Sequence, residues 1–281
     1  MQKAISYFFS DYNYKNQSGW FKKLLYALLL VKCCYWLMYY DLLFGSNSIV
    51  YTKPFNLGFI NGIAFLLYKQ MSVGAGLWFI GLLIGLCILN IFKVNIYFLS
   101  DFIVWLLVIN IHNKIYPTLT GGEYLLNQLL FFNCFICNKF NDPDINGWKC
   151  QLKTCIHNLG VLSVIVQICL IYLFSAMAKL GNESWLNGSA VGIISQIDHY
   201  SLPSISNSLA RSGFLMVSLN YIVLGYQLLF PVVVWIKKIK RPFIVIGILM
   251  HLYIALVMGL VSFGFIMILP YLYFWPEKEK V

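Results

Sequence analysis

Apolar residues in this chain arrive in blocks long enough to cross a lipid bilayer, separated by short polar or basic stretches. Segments 24–44, 73–92, 94–111, 158–178 and 213–235 each come close to or exceed the ~20 residues that a transmembrane helix needs. Segment 124–137 is shorter. Segment 243–275 is longer: as one helix it would run about 50 Å at 1.5 Å per residue, against a hydrocarbon core of about 30 Å. A break is therefore expected near Gly259 and Gly264. The stretch 55–67 is apolar but too short to cross, and is expected to lie in the interface or re-enter.

Composition agrees with this pattern. Of 281 residues, 60% are hydrophobic, 17% aromatic and 11% charged, where soluble domains carry about 25% charged residues. A soluble enzyme, a disordered chain and a small disulfide-stapled protein are excluded. The expected fold is an all-α polytopic membrane bundle of about six to eight transmembrane helices, with 1–21 a cytoplasmic segment and 180–212 an outer loop. The net charge of +10 does not call for nucleic acid, because most basic residues flank apolar blocks, where they anchor helices and set orientation. Lys3, Lys15, Lys22 and Lys23 place the N-terminus in the cytoplasm by that rule. Residues 1–21 have no apolar core ending in a small-residue cleavage site, so the first span is expected to be retained.

Few residues offer chemistry. Cys134 and Cys137, then Cys150, Cys155 and His157, are zinc-ligand types. Their spacing is irregular and the first pair sits in an apolar segment, so packing is the expected role and no metal is expected. Lys179 ends the fifth span after the small residues Ser175, Ala176 and Ala178, which permit close helix approach, and a polar turn leads on to Trp185. A lysine at a helix end ordinarily snorkels to the interface. Held in a partly dry pocket, it would instead serve as a base or nucleophile. His251 lies inside an apolar helix, where an ionisable side chain is costly and marks a candidate site, with Tyr226 or Gln227 as its expected partner. Glu123 precedes the short fourth segment as a helix-start carboxylate or a lining acid. Asp101 and Lys32, both within apolar runs, are expected to pair or to face a cavity.

The run from Tyr172 to Leu180, with Trp185, Asn187, Gly188 and Ala190, resembles the signature helix of the HTTM family, the membrane domain shared with vitamin K-dependent gamma-carboxylases. Gly121-Gly-Glu-Tyr-Leu-Leu is similar to a second family stretch. Gln227–Pro231 with His251, Ala255, Met258, Gly259 and Phe263 resembles its closing helices. The resemblance runs from about residue 20 to 275 and implies a single HTTM-like domain over 1–281. It implies Lys179 as a catalytic base with His251 beside it, and Glu123, Tyr124, Trp185 and Gln227 as substrate-binding residues. A quinone or vitamin K-like hydroquinone is the cofactor it suggests. Where the animal enzymes carry a histidine, this chain has Gly121, Gly122 and Glu123, and no large extramembrane domain is expected. The compact form resembles the bacterial SdpB type, which takes part in maturing a secreted antimicrobial peptide.

Two readings of function follow. One is a multi-pass cell-membrane protein that matures a secreted peptide by gamma-carboxylase-like chemistry, with a second maturation protein as partner. The other is a non-catalytic membrane protein that binds a peptide or lipid in immunity, export or assembly. A plain transporter lacks support, since no paired Gly/Pro-broken segments in symmetric halves occur.

Overall fold

The computed structural model describes residues 8–9, 11–45, 48, 73–92, 97–137, 147–197 and 212–275, and every regular element among them is helical. The interfacial stretch expected over 55–67 lies outside the described residues. The chain forms two compact units, Met1–Leu162 and Ser163–Val281.

The first unit holds α1 (Lys15–Met38), α2 (Tyr40–Phe44), α3 (Val73–Ile91), α4 (Tyr97–Lys114), a 3-10 turn at Tyr116–Thr118, α5 (Gly121–Asn133) and the first part of α6 (Trp148–Leu180). In α1, Phe21, Leu25, Leu29, Cys33 and Trp36 are all buried. Their spacing of four, four, four and three residues puts them on one helical stripe. The opposite side presents Val31, Tyr35 and Met38, exposed apolar side chains. Polar groups lie inside instead: Lys22, Asp101, His112, Glu123 and Asn133 are buried. Apolar outside and polar inside is the arrangement that a lipid solvent selects.

Contacts at both ends of the pair tie α1 to α4. Lys22 Nζ donates to Asp101 Oδ2 at 2.7 Å, and the Trp36 and His112 rings meet edge-on at 5.8 Å. Residue numbers rise together on both helices between these contacts, so α1 and α4 run in the same direction.

The second unit holds the rest of α6, α7 (Glu183–Leu186), α8 (Ala190–Ser195), α9 (Gly213–Val233), α10 (Lys237–Leu256), α11 (Val261–Ile268) and a 3-10 turn at Leu269–Tyr273. The break expected in the last apolar block falls between α10 and α11, where Gly259 takes φ +70°, a conformation that costs glycine little. The chain returns so closely that a Cβ on Gly264 would meet the His251 carbonyl oxygen at 2.5 Å and the Ala255 Cβ at 2.7 Å.

Element boundaries depart from expectation where polar residues continue a helix. The first helix begins at Lys15 rather than 24, and α6 begins at Trp148 rather than 158. Lys237–Arg241, expected as a loop, forms the first turns of α10. Lysine and arginine are good helix formers once packing has nucleated the helix.

Three helices among the described residues are long and apolar enough to cross a membrane: α6, α9 and α10. Gly76–Ile91 and Val261–Tyr273 are shorter apolar helices. The remaining blocks fall short for local reasons. Lys22, Lys23 and Lys32 interrupt α1, Asp101, Asn110, His112 and Lys114 lower the hydropathy of α4, and α5 has only 13 residues.

Candidate functional site

The end of α6 carries the signal singled out from sequence. Tyr172, Ser175 and Lys179 are spaced by three and four residues and therefore share one helix face. Lys179 is half-buried. Its Nζ donates to Ser175 Oγ at 2.7 Å, and Ser175 Oγ donates onward to Gln227 Oε1 on α9 at 3.3 Å. The Trp185 ring lies with its centroid 4.9 Å from the Lys179 Nζ, a cation–π arrangement. Lys179, Gln227 and Trp185, predicted separately, are thus one cluster.

Trp185 is held by its backbone. Asn220 on α9 is fully buried and its Nδ2 donates to the Trp185 carbonyl at 2.9 Å. The neighbouring Tyr221 hydroxyl donates to the Leu186 carbonyl at 2.7 Å. Gly188, at φ +82°, brings the chain against Val217 and Tyr221. Together these contacts seat α7 on α9.

His251 has a different partner from those expected. Its Nε2 lies 2.5 Å from the Tyr172 hydroxyl. Tyr172 is also hydrogen-bonded to Tyr271, and Tyr271 lies 3.0 Å from the Tyr226 hydroxyl. Tyr226 therefore reaches His251 only through two intervening tyrosines. Gln227, one residue on, is turned about 100° away along the helix and serves Ser175 instead. All four members of this chain are buried, and Phe230 packs against both Tyr172 and Tyr271. A Cβ on Gly247 would collide with the Tyr226 and Tyr271 hydroxyls, so glycine is what admits them to the α10 surface. Tyr271 and Asn220 were not singled out from sequence, because a tyrosine or an asparagine in an apolar block carries no local mark of its partner.

Glu123 and Tyr124 belong to the first unit. Glu123 completes a capping box with Thr120. Its Oε2 accepts from the Thr120 N–H at 2.8 Å and from the Thr120 hydroxyl, and its Oε1 accepts from Lys32 Nζ at 2.7 Å. It is the helix-start carboxylate of α5 and, beyond what was expected, the partner of a buried lysine. Tyr124 is exposed. Asp101 and Lys32 both pair, but not with each other: Asp101 takes Lys22 and the Tyr26 hydroxyl, and Asn133 donates to that hydroxyl at 2.9 Å.

His157 accepts from the Cys137 N–H at its Nδ1 (3.0 Å) and donates from Nε2 to the Asn13 carbonyl (2.8 Å). Cys134 and Cys137 turn their thiols to the Leu130 and Lys153 carbonyls. Among the described residues no group of three or more His, Cys, Asp or Glu side chains is placed to hold a metal ion.

These features define a helical membrane protein with polar clusters built into its interior. Comparison with known proteins adds a relative. The chain is 27% identical over 176 residues to sporulation-delaying protein SdpB of Bacillus subtilis (strain 168), covering 58% of this chain and 54% of that protein. It is 28% identical over 158 residues to protein YitO of the same organism, covering 52% of this chain and 50% of that one. The chain thus spans about half the length of the curated relatives it matches. No family profile matches, and no solved structure does.

Proposed function

We propose that this chain is a multi-pass membrane factor of the HTTM type, with six to eight spans and a cytoplasmic N-terminus, that matures a secreted peptide by gamma-carboxylase-like chemistry. The observation that carries the proposal is the Lys179 cluster: an amine at the end of a span, half-buried, held by Ser175 and faced by an indole. The similarity to a sporulation-delaying protein supports the same reading. Lys179 accepts a proton from the substrate. The ammonium so formed is stabilised by the Ser175 oxygen and the Trp185 ring face. Gln227 orients Ser175, and His251, through Tyr172 on the same face of α6, orders the wall behind the cluster. An aromatic diol of the vitamin K hydroquinone type fits this donor set, with Lys179 to take a phenolic proton and Trp185 to offer a ring surface. Bound there, it would supply the reduced ring that reacts with oxygen.

One observation favours a second reading. The cation–π contact of Lys179 with Trp185 also suits a permanent ammonium, which a non-catalytic binder of a peptide or lipid would use. Replacement by arginine separates the two, since guanidinium keeps the charge and does not deprotonate. The secreted precursor encoded nearest to this chain is co-expressed with the wild type, Lys179→Ala and Lys179→Arg, and its intact mass is measured. Maturation by the wild type alone supports the base. Full maturation with Lys179→Arg leaves only the binder.

A further inference from the structure

The second unit carries a cation cluster that the proposed chemistry does not use. Lys237, Lys238, Lys240 and Arg241 fall within the first five residues of α10, and no acidic residue stands in its first turn. A helix dipole favours anions at this end and disfavours cations, so the four charges repel both one another and the helix terminus. Among the described residues none of the four meets a carboxylate. Lys240 lies over the Phe274 ring, its Nζ 5.8 Å from the centroid. Lys237, Lys238 and Arg241 are exposed.

The residues that follow along the helix narrow the choice of partner. Lys238, Arg241, Val245 and Leu249 are three, four and four positions apart, which puts them on one stripe of the helix surface, and all four are exposed. The stripe is cationic at its start and apolar beyond. From Arg241 to Leu249 it runs about 12 Å at 1.5 Å per residue, within the ~15 Å depth of one leaflet, half of a ~30 Å hydrocarbon core. Trp235 and Ile236, just ahead of α10, are exposed as well, and an indole at a span end belongs at the level of lipid headgroups. A free anion or an acidic soluble chain would answer the charges and leave the apolar length of the stripe unused. A lipid with a negative headgroup answers both.

We infer that Lys238, Arg241, Val245 and Leu249 form a binding site for one anionic phospholipid. Its phosphate sits on Lys238 and Arg241 with Lys237 beside them, and an acyl chain lies along Val245 and Leu249. The headgroup supplies the negative charge that the start of α10 lacks, and phosphate oxygens accept from guanidinium and ammonium donors. This site is independent of the Lys179 chemistry.

The test uses the full-length protein purified in detergent and native mass spectrometry. The probes are dioleoylphosphatidylglycerol, dioleoylphosphatidylcholine, glycerol phosphate and a short polyglutamate peptide. One phosphatidylglycerol is expected to bind at least about tenfold more tightly than phosphatidylcholine, which has the same chains and no net charge, and neither water-soluble anion is expected to displace it. Lys238→Gln with Arg241→Gln is expected to weaken phosphatidylglycerol binding about thirtyfold, the worth of two cations near a membrane surface. Arg241→Gln alone, expected to cost about fivefold, decides the matter should the double variant fail to fold. Lys23→Gln with Lys149→Gln removes the same charge from exposed positions off the stripe and is expected to change affinity by less than about threefold. Equal losses in the two double variants overturn the inference by assigning diffuse attraction only, and equal affinity for the two lipids overturns it by removing the charge preference. Displacement by glycerol phosphate assigns a free-anion site instead, and displacement by the peptide assigns an acidic protein partner.

Discussion

His251 on α10 and Tyr172 on α6 are bonded at 2.5 Å, and this pairing links two elements 79 residues apart. It begins a chain of hydroxyls through Tyr271 to Tyr226 whose members are all buried. Removing the Tyr172 hydroxyl leaves His251 Nε2 without its partner, at a cost of about 1–3 kcal/mol. Tyr172→Phe is therefore expected to lower stability by that amount, measured as thermal or denaturant unfolding in detergent. A loss smaller than the scatter of surface substitutions would contradict the linkage.

Gly247 gives a steric counterpart. Gly247→Ala places a methyl group where the Tyr226 and Tyr271 hydroxyls lie and is expected to cost about 1–3 kcal/mol by overpacking. Gly225→Ala on α9, with nothing within 4 Å of the added carbon, is the control. It should be neutral or stabilising by up to about 1 kcal/mol, since alanine is the better helix former.

In the first unit the Lys22–Asp101 pair is enclosed, its side chains 7% and 2% exposed. Asp101→Asn leaves the ammonium without its carboxylate and is expected to destabilise by about 3–5 kcal/mol. The double variant Lys22→Met with Asp101→Leu should recover most of that loss, because a buried ion pair exchanged for apolar groups is often neutral or better. Equal instability of the single and double variants would show that the pair is not what the single change disrupts.

Thr120 caps α5 and also holds Glu123. Thr120→Ala is expected to cost about 0.5–2 kcal/mol. The loss should be smaller in a Glu123→Gln background, since the two side chains act together. Strict additivity in a double-mutant cycle would refute the coupling.

Asn220 acts on the Lys179 cluster through Trp185. In Trp185→Leu the amine loses a cation–π contact of about 0.5–2 kcal/mol. Labelling of Lys179 by an acylating reagent is then expected to rise about two- to thirtyfold, the equivalent factor. Asn220→Leu, which releases only the Trp185 carbonyl, should move labelling in the same direction by less, with Trp185 itself unchanged. A purely structural role for Asn220 would alter stability and leave Lys179 labelling where it was.

Much of the candidate site was legible before the fold. Small residues at Ser175, Ala176 and Ala178 ahead of a single lysine mark a close approach at a span end, and Ser175, Lys179 and Trp185 do meet. Glu123 reads as a helix-start carboxylate, and it stands in the first turn of α5. The partners were not legible. Asp101 and Lys32 looked alike as charges in apolar runs, yet each pairs with a residue of another helix. Tyr226 and Gln227 are adjacent, and only the rotation of α9 sends one to Tyr271 and the other to Ser175.

The sequence by itself determined that the chain is helical and lives in lipid. Block length and hydropathy are sums over neighbouring residues, and a bilayer leaves an isolated apolar segment no other way to satisfy its backbone. Tertiary structure alone decided which polar side chain answers which. A hydrogen bond depends on the packing of helices far apart in the chain, and Tyr172 meets His251 only because Gly264 and Gly247 let the surrounding backbones and hydroxyls come close enough.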